Sequence, residues 1–191
     1  MCEVDRDPAA LRFNRAGGVR GSLCQALAES LPFPDETFDL AVCHFLLLWV
    51  LEPLSVLREM RRVTVSGGAV LALAEPDYGG RIDWPPGLER AGRQQALALA
   101  RAGAHLTLGR QLREMFHQAG LQRVHVSLLG GEWQDGQTGS ITQENAVLAH
   151  DLAGSLPPAE LRDLLEMEAQ AARDQSRLLF VPTFSAIGFV P

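Results

Sequence analysis

The stretch Leu31-Pro32-Phe33-Pro34-Asp35-Glu36-Thr37-Phe38-Asp39-Leu40 sets a proline-rich turn against the start of an apolar strand. Pro34 to Thr37 are turn residues. The following segment, Phe38 to Cys43, holds Leu40, Ala41 and Val42 in an unbroken apolar run. A run without alternation fits a strand covered on both faces, as in a parallel sheet.

Toward the C-terminus the pattern changes period. Val56, Leu57, Met60 and Val63 share one face of a helix expected over Pro53–Val65, with Pro53 in its first turn. Ser66-Gly67-Gly68 is expected to end this helix in a left-handed cap. A second buried strand is expected over Ala69–Glu75. Strand, helix and strand then form one right-handed crossover of an α/β sheet. Beyond it, Asp77–Pro86 reads as a loop, and helices are expected over Leu88–Ala102 and Gly109–Ala119. The second carries the stripe Leu112, Met115, Phe116, Ala119. Gln122–Leu128 alternates like a half-exposed strand, Glu132–Gly139 is polar and turn-rich, and helices are expected over Thr142–Leu152 and Pro158–Arg173. A last strand is expected over Leu178–Val190, where Pro182 marks an edge or a bulge.

The 191 residues suit one domain with a sizeable core. A net charge of −6 argues against a nucleic-acid-binding module, which needs a basic face. No apolar run approaches the roughly 18 residues of a membrane span, and Met1 to Arg15 lacks the apolar core of a secretory signal. Cys2, Cys24 and Cys43 have no metal-ligand spacing, and His105, His117, His125 and His150 have none either. Reduced thiols, a cytoplasmic location and no bound metal are the expectations.

The Leu31–Leu40 stretch resembles the approach to the fourth strand of class I S-adenosylmethionine-dependent methyltransferases of the ubiquinone/menaquinone-biosynthesis type (methyltransferase type 11). Four further segments agree in order. Leu57-Arg58-Glu59-Met60-Arg61-Arg62-Val63 resembles the helix after that strand. Ser66-Gly67-Gly68 is similar to the family's Pro-Gly-Gly turn, and Glu75-Pro76-Asp77-Tyr78 to the end of its fifth strand. Phe180-Val181-Pro182-Thr183-Phe184 resembles its last, antiparallel strand. The resemblance implies an α/β, Rossmann-like, mostly parallel sheet with an antiparallel last strand. It implies one domain over 1–191, with a substrate lid over 77–108 and a helical insertion over 132–176.

The resemblance also implies site residues. Asp5, at the end of a strand equivalent to the family's second, would accept hydrogen bonds from the cofactor's ribose hydroxyls, with Asp7 as second choice. Leu27 and Ala28 fall near adenine. Leu27 departs from the acidic residue common there and offers packing without a hydrogen bond, and Glu29 could substitute only if the loop shifts. Cys43, His44 and Phe45 would border the methionine half, with His44 either a general base or a packing residue. Phe45 or Trp49 could face the sulfonium, although core packing is the expectation for Trp49. Glu75, Asp77 and Tyr78 would orient or deprotonate the acceptor, and Gly79-Gly80 would lend the lid a flexible backbone.

The family's glycine-rich cofactor loop and first strand have no counterpart. Ala16-Gly17-Gly18-Val19 follows no buried strand, and Gly130-Gly131 falls near the sixth. The expectation is an N-terminally truncated domain, lacking the first strand and helix and leaving the Phe38 strand with an unpaired edge. A complementing chain or second copy, and an altered but stable domain, are the alternatives. Functionally the sequence points to S-adenosylmethionine-dependent methyl transfer to a small molecule, without nucleic-acid or membrane partners. The alternative is a non-catalytic methyltransferase-like protein. A nicotinamide dehydrogenase would need a similar glycine loop.

Overall fold

The computed structural model describes residues 1–18, 21–129 and 138–191. The first elements are β1 (Cys2–Asp5), α1 (Pro8–Ala16), β2 (Ser22–Gln25), β3 (Phe38–His44), α2 (Pro53–Val63) and β4 (Thr64–Pro76). They are followed by β5 (Ile82–Trp84), α3 (Glu89–Arg101), α4 (Leu112–Gln118) and β6 (Gln122–Leu129). The last are α5 (Thr138–Leu152), α6 (Pro158–Arg173), β7 (Leu178–Phe180) and β8 (Thr183–Phe189). They form two compact units, one of Met1–Leu73, Leu112–Val126 and Ala186–Pro191, the other of Ala74–Gln111 and Ser127–Ser185. The segments 77–108 and 132–176 contribute their described residues to the second unit.

The first unit contains two parallel crossovers. In the first, β1 pairs with β2 in parallel. The connecting α1 starts where Asp7 accepts the Ala9 N–H at 2.7 Å and Pro8 takes the first turn. In the second, β3 pairs with β4 in parallel through α2. Val56, Leu57, Met60 and Val63 are the buried face of α2, as their spacing requires. The four-stranded sheet has the order β3-β4-β8-β6. Gly67 and Gly68 bond to Val190, whereas Asp77 bonds back to Pro182, so β8 runs antiparallel to β4. This is an α/β, Rossmann-like fold with a mixed, largely parallel sheet. Among the described residues β3 has one strand partner, β4, and its Leu40 and Val42 side chains are about half exposed.

Two sequence expectations need correction. Ser66-Gly67-Gly68 does not cap α2. The helix stops at Val63, where the Thr64 N–H bonds to the Arg61 carbonyl and the Thr64 hydroxyl donates to Met60 O at 2.7 Å. The strand begins at once, and the glycines lie in a bulge: Phe38 faces Thr64, yet Leu40 faces Ala69. Gly67 takes φ +79°, and a Cβ on Gly68 would lie 2.8 Å from the Asp39 carbonyl oxygen. The last strand is also not continuous. β7 turns aside to pair antiparallel with β5, and Pro182 stands in the break before β8. Proline cannot donate to a ladder, so the switch of partner falls there. The expected turn at Glu132 to Gly139 and the Gly130-Gly131 pair fall largely outside the described residues.

The Leu31–Leu40 stretch is fastened to α2. Arg62 donates to the carbonyls of Phe33 at 2.8 Å and Leu31 at 3.0 Å and pairs with Asp35 at 2.7 Å and Glu59 at 2.8 Å. Glu59 in turn accepts the Leu31 N–H at 3.0 Å. The Arg62 hydrogen bonds, backed by the Leu31 N–H, hold the Glu59 carboxyl below its ordinary value against a smaller opposing effect of burial. The stabilisation is therefore complete above the unfolded carboxylate pKa and is lost as pH falls through the lower, folded one. Glu59→Gln is expected to flatten stability against pH below about 4.5 while leaving it nearly unchanged in slope at neutral pH. Urea midpoints measured across that range test this.

In the second unit Ala91, Leu148, Leu152 and Leu164 join α3, α5 and α6, with Leu161 and Leu165 packed alongside. A buried polar network runs beside this core. Arg81 grips Asp83 at 2.8 Å, each side chain 7% exposed, and also bonds to Gln95. Gln95 donates to Asp151 at 2.6 Å. One network thereby ties β5, α3 and α5 together.

Candidate functional site

Three clusters of side chains stand at strand ends. In an open α/β sheet ligands bind outside the carboxyl ends of the strands, because the backbone there is free to turn away and leave room.

The first cluster closes β1 and β2. Asp5 is the last residue of β1, and its Oδ1 accepts the Asp7 N–H at 2.7 Å. Its second carboxylate oxygen has no partner among the described residues. The Asp5 carbonyl accepts the Ala26 N–H at 3.1 Å, which brings the end of β1 beside the turn after β2. Leu27 and Ser30 close that turn at 3.1 Å, leaving the Leu27 side chain exposed and Ala28 half-buried. Asp5, Leu27 and Ala28 are therefore neighbours. Asp7 is committed to capping α1.

The second cluster closes β3. Cys43 is buried and His44 is exposed. Phe45 donates its N–H to Leu73 O at 2.9 Å, and its φ of 51° lies in the left-handed region. That conformation is an outlier for a bulky side chain and tends to persist at functional positions. Beyond it, Leu47 and Leu48 are fully buried, whereas Trp49 remains 40% exposed. The core packing expected of Trp49 falls instead to the two leucines, because the tight turn of Leu47–Trp49 aims only two of three successive side chains inward.

The third cluster belongs to the second unit and follows β4. Glu75 and Asp77 are buried, and Tyr78 is half-buried. Burial, and secondarily the nearby Asp151 charge, pushes the Tyr78 phenol above its ordinary pKa despite the opposing Arg81. Both Asp77 oxygens are engaged by Arg110, Oδ1 by Nη2 at 2.7 Å and Oδ2 by Nε at 2.5 Å. The Asp77 side chain is 2% exposed and that of Arg110 is 53% exposed. Asp77 therefore orients the arginine rather than facing outward as a base. The Gly79-Gly80 pair, expected to supply flexibility, instead permits close approach. A Cβ on Gly79 would meet Arg110 and Thr107, and one on Gly80 would meet Pro182 at 2.9 Å.

Sequence reading found Asp77 but not Arg110, which lies 33 residues away. The Tyr78 N–H bonds to Leu106 O at 2.8 Å, and Gly109 packs against the Glu75 carbonyl. These contacts wrap residues 105–111 around the strand end. No local signal marks such a contact. Among the described residues, no group of three His, Cys, Asp or Glu side chains is placed to hold a metal ion.

Comparison with known structures identifies the fold. The chain aligns over 99% of its length with the YcgJ protein of Bacillus subtilis, covering 81% of it at 17% identity and a TM-score of 0.57. It aligns over its whole length with 43% of phosphoethanolamine N-methyltransferase 2 of Haemonchus contortus at 12% identity and a TM-score of 0.55. That enzyme was solved with phosphomonomethylethanolamine and S-adenosylhomocysteine. The fold is thus that of the Rossmann-like methyltransferases. Residues 1–72 match the methyltransferase domain family. Over that N-terminal span the chain is similar to a methyltransferase domain, in keeping with the resemblance carried by Leu31–Leu40 and Leu57–Val63. Over 58 residues it is 48% identical to the ubiquinone/menaquinone biosynthesis C-methyltransferase UbiE of Citrobacter koseri. That match spans 29% of this chain and 23% of the relative, so about a quarter of the relative's length is represented.

Proposed function

We propose that this chain binds S-adenosylmethionine through the Asp5 cluster and serves methyl transfer to a small-molecule acceptor. The supporting observation is Asp5 itself. It ends a parallel strand, is held rigid through one oxygen, and has a second oxygen with no partner among the described residues. A carboxylate fixed this way suits a ribose hydroxyl, and the exposed Leu27 beside it suits the face of a purine. The donor set therefore fits the nucleoside half of the cofactor.

When bound, the cofactor supplies an electrophilic methyl group on a sulfonium centre. Transfer is a direct displacement that needs the nucleophile in line at about 3–3.5 Å, so positioning supplies much of the rate. Phe45 and Trp49 offer aromatic faces suited to a neighbouring cation. His44, exposed at the end of β3, is the candidate proton acceptor. Tyr78, with its raised pKa, stays protonated at neutral pH and acts as a hydrogen-bond donor. No metal enters this chemistry. The reading places the protein in the cytoplasm, with neither nucleic-acid nor membrane partners. A second copy or complementing chain beside the open edge of β3 is part of the reading.

Calorimetric titration with S-adenosylhomocysteine tests it. Micromolar binding is expected, and Asp5→Ala should weaken it at least about tenfold, the loss of roughly 1.4 kcal/mol from one charge-assisted hydrogen bond. A second reading, a non-catalytic methyltransferase-like protein, is favoured by the Ala16-Gly17-Gly18 segment. It ends α1 rather than a strand and so offers no cofactor loop. Failure of the intact, folded chain to bind S-adenosylhomocysteine or S-adenosylmethionine would select that reading.

A further inference from the structure

We infer that Arg110 is the recognition residue for an acidic acceptor and takes a carboxylate group of that small molecule. The inference rests on the methyl-transfer reading for the word acceptor, but the anion site is argued from geometry. Arg110 donates through Nε and one N–H of Nη2 to the two oxygens of Asp77. A guanidinium has five N–H donors in one plane. The Asp77 grip uses two of them along one edge. Nη1 and the remaining Nη2 hydrogen form a second edge, and no other hydrogen bond to Arg110 exists among the described residues.

The asymmetry of burial separates this pair from a surface ion pair. The Asp77 side chain is almost fully enclosed, whereas that of Arg110 is half exposed. The enclosed partner fixes the plane of the exposed one, which removes most of the rotamer freedom that usually weakens recognition by arginine. The surroundings hold it further. Gly79 brings its backbone against Nη2, Thr107 packs on the same glycine, and Gln111 donates to the Thr107 carbonyl and hydroxyl. The hydrogen bond from Arg110 to Asp77 also raises its pKa, so the guanidinium carries its charge at every working pH. The free edge matches the spacing of a planar carboxylate, which can accept two parallel hydrogen bonds. Its position, in the segment wrapped around the end of β4, is where an open α/β sheet receives ligand.

The test uses the full chain with 15N-labelled arginine. The Arg110 Nε–Hε signal is followed while sodium benzoate, benzamide or inorganic phosphate is added at constant ionic strength, with and without S-adenosylhomocysteine. Benzoate should shift the signal saturably, and benzamide should bind at least tenfold more weakly. Arg110→Met should abolish benzoate binding measured by calorimetry, Arg110→Lys should retain a weakened, single-point interaction, and Arg93→Met, on an exposed helical pair, should change nothing. A shift that does not saturate, or equal shifts at several arginines, overturns the proposal as simple screening. Saturable binding of phosphate without benzoate overturns the carboxylate assignment. If Arg110→Met does not fold, unweakened benzoate binding by Arg110→Lys overturns the bidentate recognition. Loss of S-adenosylhomocysteine binding with benzoate binding intact would remove the methyl-transfer reading and leave the anion site standing. Cofactor binding with no benzoate effect would do the reverse.

Discussion

Gly92→Ala is expected to destabilise the second unit by about 2–4 kcal/mol, although alanine is the better helix former. In an exposed helix interior the same change stabilises by roughly 0.5–1 kcal/mol. Gly92 lies within α3 and is buried against the Arg81–Asp83 pair. A Cβ there would fall 2.6 Å from Arg81 Nε and closer still to Asp83 Oδ2. Neither partner can yield cheaply, because both side chains are enclosed and Arg81 is also bonded to Gln95. Breaking a buried ion pair costs about 3–5 kcal/mol, which exceeds the gain in helix propensity. For a chain of this size, the loss corresponds to a fall in Tm on the order of 5–15 °C. Differential scanning calorimetry decides the matter, and an unchanged or raised Tm would refute the packing argument.

Phe116→Ala is expected to cost the first unit about 3–5 kcal/mol, the loss typical of a fully buried phenylalanine. The ring has no exposed surface, and α4 packs on α2 around it. The facing strand accommodates the ring through Gly188, where a Cβ would stand 3.0 Å from both Phe116 Cδ1 and Leu121 Cβ. Large and small residues are therefore matched across the layer, and the two positions should couple. Gly188→Ala should destabilise in the native background but be tolerated better beside Phe116→Leu. A double-mutant cycle by urea denaturation measures this, and simple additivity would show that ring and glycine do not share one space.

Much of the fold was legible because its causes are local. The Phe38–Cys43 run, the helical spacing of Val56 to Val63 and the apolar Ala69–Glu75 segment each encode their element within a few residues. A crossover between parallel strands follows from those three alone. The N-terminal strands were less legible, since β1 and β2 have only four residues each and carry polar side chains. The misreadings share one origin. Ser66-Gly67-Gly68 suits a helix cap as well as a bulge, and only the register of β3 against β4 selects the bulge. Gly79-Gly80 suits a hinge as well as close packing, and only Arg110, Thr107 and Pro182 select packing.

The candidate site divides along the same line. The sequence by itself determined the α/β order and the ends of the strands from Phe38 onward, which puts His44 and Tyr78 at or just beyond strand ends, whereas Asp5 was placed at one through the family resemblance. Strand ends follow from patterns of neighbouring residues. Only the tertiary structure decided that Asp5 keeps one oxygen without a partner among the described residues, that Trp49 lies half outside the core, and that Asp77 is spent on Arg110. Each depends on groups brought together from distant parts of the chain or on the balance of burial around them, and neither is written in local spacing.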